Sequence, residues 1–486
     1  MKRKSILALC LIFMVLASAC GAAEDPPVTA GDSSSASDSD TEVTQKFVYE
    51  YPELGEGEFN ILSSESVWDI CMDLDFPEMT GETLDDAVFA RNRFVEEKTG
   101  LKIKVENHKT GGDFGKLTNH AANLILSGDD TYEVMYIKPA AKVDLITDGA
   151  LVDLRSLPEL NLDAGWWDQI ITDSAAIGGK LYFASGAFGL MPFETSWCVY
   201  FNESLFEKYS LGFPYDLVRN GEWTIEKLMT IAKSADLRGD ESFTYRNGGE
   251  AVYGLSTHTL AVNCLLFGAG VRTVSNNGGE FTYSLSGERF HKAVELIGDF
   301  ASRDGEYFRA DDTDWDAEKG GYIYTFANDR AFLLTGQIKT AGQLRSMESG
   351  FGILPFPKLD ADQEEYYTYI TGNNLMMTIP VTNKNPGTTA AMIDALTYRS
   401  YETVLPVYYE NRVAQKGLRN EDSIEMLDII RSGRGIDVSD YFLWNSGVSG
   451  KVKTSILSGD GTAASIAESE RVKTEEAIKS FMEKLK

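Results

Sequence analysis

Hydrophobic and polar residues alternate along the chain with two different periods. Residues 59–62 form a short apolar run, which predicts a strand, and residues 84–98 repeat apolar positions every three to four residues, which predicts a helix. Residues 101–106 then alternate as a second strand. A strand, a helix and a strand in this order predict a right-handed βαβ unit with a parallel sheet.

The same alternation continues until a stretch of different character at residues 178–208. A helix is predicted at 117–126 and a strand at 132–137, so this first part of the chain indicates an α/β lobe. The stretch 178–208 has a Gly-Gly turn, an apolar strand, a Gly- and Pro-punctuated segment, a second strand at 197–201, and a helix that Asn202 can cap. This order is typical of a connection between two lobes.

The second half of the chain is richer in helical patterns. Residues 252–256 predict a strand and 287–301 a strongly amphipathic helix. We expect the chain to return to the first lobe through a helix at 324–334 and to make its last crossing at 369–380. Beyond residue 388 the pattern is mostly helical, which completes the prediction of an α/β fold with a helical C-terminal part.

Three segments resemble the family 1 extracellular solute-binding proteins of ABC importers. They are GKLY with YFNESLFEK in the stretch 178–208, GILPFPK at 352–358, and NKNP at 383–386. The resemblance implies a two-lobed fold of the periplasmic-binding-protein type (type II), with hinge crossings. It assigns residues 51–190 and 330–378 to lobe 1, and residues 191–329 and 379–486 to lobe 2.

The N-terminus resembles a lipoprotein signal peptide. Lys2, Arg3 and Lys4 precede an apolar run at 6–16 and the small residues before Cys20, although Ala17 stands where that pattern usually has Leu. The resemblance implies cleavage of residues 1–20 and acylation of Cys20. Residues 21–50 would then be a disordered tether, because they hold few large apolar side chains until near the end of the segment. An ordinary secretory signal or an uncleaved anchor is the alternative.

Composition narrows the possible partners. The chain has 486 residues and a net charge of −29, which excludes a general affinity for nucleic acid or anionic membranes. The sequence has no CxxC pair, so Cys71, Cys198 and Cys264 are expected to be free thiols, with one disulfide as the alternative. The four histidines form no local ligand pair in the sequence, and we therefore expect no metal or other cofactor.

Aromatic residues near the predicted crossings suggest a carbohydrate site. Flat aromatic faces cover the C–H faces of sugar rings, and fixed amides or carboxylates bind hydroxyl groups. Trp197 follows the first crossing and Trp68 follows the first strand, while core packing is the alternative for each. The full set of candidate ligand-binding residues is Ser64, Glu65, Trp68, Tyr136, Trp197, Trp315, Tyr324, Asn373 and Trp444.

These observations lead to one function and three alternatives. The resemblance implies a monomeric, lipid-anchored receptor of an ABC importer on the extracellular face of the cell membrane, or in the periplasm if the envelope has two membranes. Such a receptor captures a small solute, here a mono- or oligosaccharide, by hinge closure and delivers it to a permease. The alternatives are a surface glycoside hydrolase or lyase, the same receptor fold with a peptide or other small solute, and a purely structural lipoprotein.

Overall fold

A computed structural model describes residues 47–235, 251–301, 308–312, 321–410, 418, 420–444 and 447–485. The described residues from Tyr49 onward form one compact unit. The predicted signal peptide, Cys20 and all but the last residues of the predicted tether lie outside the described residues.

The described part of the chain contains both strands and helices. Its strands are β1 (Gly57–Ser64), β2 (Leu101–His108), β3 (Val134–Ile137), β4 (Trp197–Asn202), β5 (Tyr253–His258), β6 (Val274–Asn277), β7 (Glu280–Tyr283), β8 (Phe308–Asp311), β9 (Ala331–Gln337), β10 (Phe351–Leu354), β11 (Thr368–Tyr369), β12 (Met376–Thr378) and β13 (Arg434–Gly435). Its helices are α1 (Thr83–Thr99), α2 (Phe114–Ser127), α3 (Asp144–Thr147), α4 (Gln169–Ser174), α5 (Met191–Glu194), α6 (Glu203–Lys208), α7 (Tyr215–Arg219), α8 (Ile225–Lys233), α9 (Ala261–Gly268), α10 (Gly287–Ala301), α11 (Tyr322–Ala327), α12 (Thr340–Gln343), α13 (Pro386–Tyr408), α14 (Glu421–Ser432), α15 (Val438–Tyr441), α16 (Val448–Ser458) and α17 (Ala463–Lys484).

The first sheet has the strand order β12-β3-β1-β2. β1 pairs in parallel with both β2 and β3, while β12 joins β3 in the antiparallel sense. The predicted unit of strand, helix and parallel strand is confirmed by β1, α1 and β2. Gly100 ends α1 in the left-handed region, at a φ of 89°, and so allows the chain to turn directly into β2.

The second sheet has the order β10-β4-β9-β5-β8 and a hydrophobic core of its own. β4 is buried along its whole length between β10 and β9. The strand predicted after the first crossing is therefore confirmed, and so is the cap that follows it. The side chain of Asn202 accepts a hydrogen bond from the Leu205 N–H at 2.9 Å, which starts α6.

The sequence prediction is wrong at the return of the chain after residue 321. A single helix was expected at 324–334, but α11 ends at Ala327 and the chain turns through Asp329, at a φ of 57°, into β9. The apolar run in β9 is inserted between β4 and β5, where both of its faces are buried. A fully buried strand lacks the alternation that distinguishes a strand from a helix.

The pairing of β9 and β10 also differs from the predicted lobe boundaries. Residues 330–378 were assigned to lobe 1, yet β9 and β10 both hydrogen-bond to β4 in the second sheet. Conversely, α13 was assigned to lobe 2 and packs on α1, beside the first sheet. The chain passes from the first sheet to the second between β3 and β4, and it returns between β10 and β12, which joins β3. Among the described residues, none of the helices has the length and apolar composition required to cross a membrane.

Candidate functional site

A cleft with an empty volume of about 830 Å³, its open side included, lies between the two sheets. The carboxyl ends of β5 and β9 lie at this cleft, since their last residues, His258 and Gln337, are among the residues that line it. This is the usual place for a ligand in an open α/β sheet. The cleft is lined by Trp68, Ile70, Met191, Thr195, Trp197, His258, Leu260, Tyr322, Ile323, Gln337, Lys339, Thr340, Gln343, Thr371 and Asn373.

Trp197 places an indole ring at the inner wall of this cleft. It is the first residue of β4 and pairs with Gln337 of β9, and only 3% of it is exposed. Its ring centroid lies 6.0 Å from that of His258. The indole Nε1 is buried and has no hydrogen-bond partner among the described residues. Because an unpaired buried donor is unfavourable, this N–H is suited to an acceptor that enters the cleft.

Trp68 contributes a second, more open aromatic face, with 51% of the residue exposed. Both Trp68 and Asp69 adopt left-handed backbone conformations, at φ values of 56° and 58°, which are uncommon for residues other than glycine. The Trp68 ring meets Phe114 edge-on at 5.5 Å and lies close over Gly112. A side chain at Gly112 would collide with the ring, so the local backbone keeps this space open for Trp68.

Hydrogen bonds cross the cleft from the Trp68 loop to the second sheet. The Lys339 ammonium group donates to the carbonyl oxygen of Trp68, and the Gln343 Nε2 donates to the Asp69 Oδ2 at 2.9 Å. Lys339 and Gln343 follow β9 and belong to the second sheet's side of the cleft. These bonds therefore hold the two walls together in the conformation described.

Polar side chains line part of the cleft, and Asn373 is one of them. The Lys138 Nζ donates to the Oδ1 of Asn373 at 2.9 Å, and burial lowers the pKa of Lys138. On the opposite wall, the His258 Nδ1 accepts a hydrogen bond from the Leu260 N–H at 3.0 Å, so the proton of the neutral imidazole lies on Nε2, which is 3.4 Å from the Asp312 Oδ1. Amide, imidazole and ammonium groups thus surround the two tryptophans.

The structure brings three of the predicted site residues into the cleft, namely Trp68, Trp197 and Asn373. Tyr324 is not among the lining residues, although its neighbours Tyr322 and Ile323 are. Trp315 lies outside the described residues.

The other predicted residues have structural surroundings. The Ser64 hydroxyl lies 3.1 Å from that of Thr110, and the Glu65 Oε1 accepts from the Thr110 and Gly111 N–H groups, so both shape the loop after β2. Tyr136 lines a separate cavity of about 380 Å³. Trp444 is buried in the hydrophobic core of the first sheet, where its ring stacks on that of Phe442 with centroids 5.0 Å apart. Core packing therefore explains its position. These placements correct the expectation that all of them face one site.

Sequence reasoning missed His258, Tyr322, Lys339 and Gln343, all of which line the cleft. His258 had a usable signal, because it follows a predicted strand by two residues and polar groups at strand ends often face a crevice. Lys339 and Gln343 had none, since the strand that precedes them was predicted as a helix.

Comparison with known proteins gives a family and a fold. The profile of the family described as bacterial extracellular solute-binding protein matches residues 77–398, which is more than half of the chain. A search of curated protein sequences returns no match.

Several solved structures share the fold. The galacto-N-biose/lacto-N-biose I-binding protein of an ABC transporter from Bifidobacterium longum, in complex with lacto-N-biose, superposes with a TM-score of 0.58 at 13% identity, covering 88% of this chain and 98% of that one. An ABC substrate-binding protein from Listeria monocytogenes, in complex with cycloalternan, gives 0.56 at 13% identity, covering 87% and 99%. A solute-binding protein from Thermotoga lettingae, bound with α-D-tagatose, gives 0.56 at 14% identity, covering 87% and 100%.

Proposed function

The chain belongs to the bacterial extracellular solute-binding proteins, and we propose that it is the receptor of an ABC importer for a mono- or oligosaccharide. The observation that carries the proposal is the set of aromatic and polar side chains that line the cleft. Trp68 and Trp197 offer aromatic surface, and the Trp197 N–H, His258, Gln337 and Asn373 offer hydrogen-bonding groups around it. Aromatic faces combined with fixed polar groups suit the alternating C–H and O–H surfaces of a sugar. The carbohydrates bound by the structural relatives support the same class of ligand.

Hinge closure is the proposed mechanism of capture. The residues of the cleft come from both sheets, so a bound solute would contact both walls at once. Closure is favoured only to the extent that the ligand makes better contacts in the closed state than in the open state. The bonds from Lys339 to Trp68 and from Gln343 to Asp69 would then form or tighten on closure. The closed form would present both lobes to a membrane permease.

A thermal-shift and calorimetry panel of mono- and oligosaccharides tests the ligand class. A sugar at a hundredfold excess over its Kd should add about 2.7 kcal/mol to the free energy of unfolding. Trp68→Ala should weaken binding of that sugar roughly 10- to 100-fold, because it removes an aromatic face from the cleft. Trp197→Phe keeps the aromatic ring and removes the N–H donor, and it should weaken binding roughly 3- to 10-fold.

Phe213→Ala is the matched control, since Phe213 is a half-exposed aromatic residue that does not line the cleft. It should bind the sugar with unchanged affinity.

Recovery of the sugar intact after incubation separates a receptor from a hydrolase or lyase, which would release products. A thermal shift with peptides and with none of the sugars would contradict the carbohydrate proposal while leaving the receptor fold in place.

We also propose that the mature chain is anchored by lipid at Cys20. The basic residues, the apolar run and the small residues before Cys20 support this, as does the polar segment that follows it. Acyl chains contribute roughly 0.8 kcal/mol per buried CH₂ group, so several of them hold a protein firmly on a membrane.

Cys20→Ser in the full-length gene tests this anchor. The substitution should abolish incorporation of labelled palmitate and move the protein from the membrane fraction to the soluble extracytoplasmic fraction. Cys71→Ser, which changes a cysteine of the globular part, is the control and should leave both unchanged. Persistence of membrane attachment in Cys20→Ser would favour an uncleaved signal anchor instead.

A further inference from the structure

Three metal-ligating side chains meet at the outer edge of the first sheet. Glu106, His108 and His120 each offer one ligand atom, and these three atoms lie within 4.8 Å of one another. None of the three residues lines the cleft. The sequence gives no indication of this cluster, because the loop at 109–113 and part of α2 separate His120 from the other two residues.

The fold explains how the cluster forms. Glu106 and His108 are two residues apart in β2, so their side chains leave the strand on the same face. β2 is the last strand in the order of the sheet, and its end is therefore open on one side. His120 comes from the second turn of α2, which follows β2 along the chain. The two imidazole rings are stacked, with centroids 4.7 Å apart and an interplanar angle of 11°.

A neighbouring tyrosine orients the carboxylate. The Tyr132 hydroxyl donates a hydrogen bond to the Glu106 Oε2. A hydrogen bond to a ligating carboxylate is typical of protein metal sites, because it fixes the orientation of the ligand.

We propose that Glu106, His108 and His120 bind a divalent transition-metal ion, with Zn²⁺ as the best-matched species. Two imidazoles and one carboxylate suit zinc and its neighbours, whereas Ca²⁺ and Mg²⁺ favour sites made of oxygen ligands. Zinc binds these atoms at about 2.0–2.2 Å and in the plane of each imidazole ring, so the two stacked rings must turn out of their parallel arrangement to bind one ion. A water molecule would complete a tetrahedron.

A metal ion here would join the end of β2 to α2 across the connecting loop. That loop holds Gly112, which contacts the Trp68 ring, and α2 begins with Phe114, which supports the same ring. The site would therefore stabilise the part of lobe 1 on which one wall of the cleft is built. Its metal affinity should not depend on whether a sugar is present, which separates this proposal from the proposed transport function.

Metal titration of the tag-free, EDTA-treated protein tests the proposal. Isothermal titration with ZnCl₂ should show a single tight site per chain, and Zn²⁺ should raise the melting temperature. Co²⁺ in place of Zn²⁺ should give the visible absorption of a four-coordinate ion. His108→Ala and His120→Ala should each weaken Zn²⁺ binding at least about 100-fold, and Glu106→Gln at least about 10-fold.

His291→Ala is the matched control, because His291 is an exposed histidine on α10, away from the first sheet. It should bind Zn²⁺ as tightly as the unmodified chain. Circular dichroism should show that all four variants remain folded, since Glu106 is exposed and His108 and His120 are partly exposed. Unchanged zinc affinity in His108→Ala and His120→Ala, or an equal loss in His291→Ala, would overturn the proposal.

Discussion

Asp394→Ala should lower the free energy of unfolding by about 3–5 kcal/mol. Asp394 is fully buried on α13 and accepts hydrogen bonds at 2.7–3.2 Å from four residues, which are Tyr49, Asn161, Trp166 and Trp167. The alanine variant leaves these donors without their acceptor, and the N–H of Trp167, which is buried, loses its partner away from water. Each unsatisfied buried donor is unfavourable by about 1–3 kcal/mol before the structure relaxes.

Asp394→Asn is the control that separates hydrogen bonding from packing. It keeps the shape of the side chain and one acceptor oxygen, so it should lose less stability than Asp394→Ala. Equilibrium urea unfolding of the two variants and the unmodified chain measures the difference. An alanine variant as stable as the unmodified chain would show that these donors find other acceptors, and the role assigned to Asp394 would be wrong.

Asp394 also explains how two neighbouring tryptophans are held. Trp166 and Trp167 lie at a predicted helix start, which favours a role in core or lobe packing over a place in the cleft. In the structure both indole N–H groups donate to the Asp394 Oδ1, at 3.0 and 2.8 Å. The acceptor lies more than two hundred residues away along the chain, and no local pattern could have identified it.

Local patterns were sufficient where an element is stabilised by its own sequence. The β1-α1-β2 unit and the strand and capped helix at 197–208 follow from periodicity, a glycine stop and a side-chain cap. β9 was missed because a central strand has no polar face to reveal its period. The same error concealed Lys339 and Gln343, which follow β9 and line the cleft. The sequence therefore identified Trp68, Trp197 and Asn373 but not these two polar residues.

The proposed metal ligands were also missed in the sequence, because they come together only in the folded chain. Metal-binding motifs are recognisable in a sequence when the ligands are closely spaced on one element. Here His108 and His120 lie on a strand and a helix, and they meet only because α2 packs back on the sheet. Because these ligands are not closely spaced along the chain, the sequence alone led to the expectation that no metal is bound.

Arg434→Met is expected to lower the free energy of unfolding by about 3–5 kcal/mol, because it leaves a buried carboxylate without its cation. The Arg434 Nη2 lies 3.0 Å from the Asp168 Oδ2, and the side chains are 6% and 1% exposed, respectively. Asp168 precedes α4, next to Trp167 of the first core, while the Arg434 guanidinium lies 4.2 Å from the ring centre of Phe193 in the second core. The ion pair therefore joins the two cores.

The double variant Asp168→Asn with Arg434→Met distinguishes the ion pair from packing. It removes both charges, so it should be more stable than Arg434→Met alone, even though it carries one substitution more. Urea unfolding of the four chains of this double-mutant cycle gives the coupling energy between the two residues. A coupling energy near zero would mean that Arg434 acts through its contact with Phe193. A large coupling energy would establish that a buried charge pair fixes the junction between the two lobes, beside the crossings about which the receptor is proposed to close.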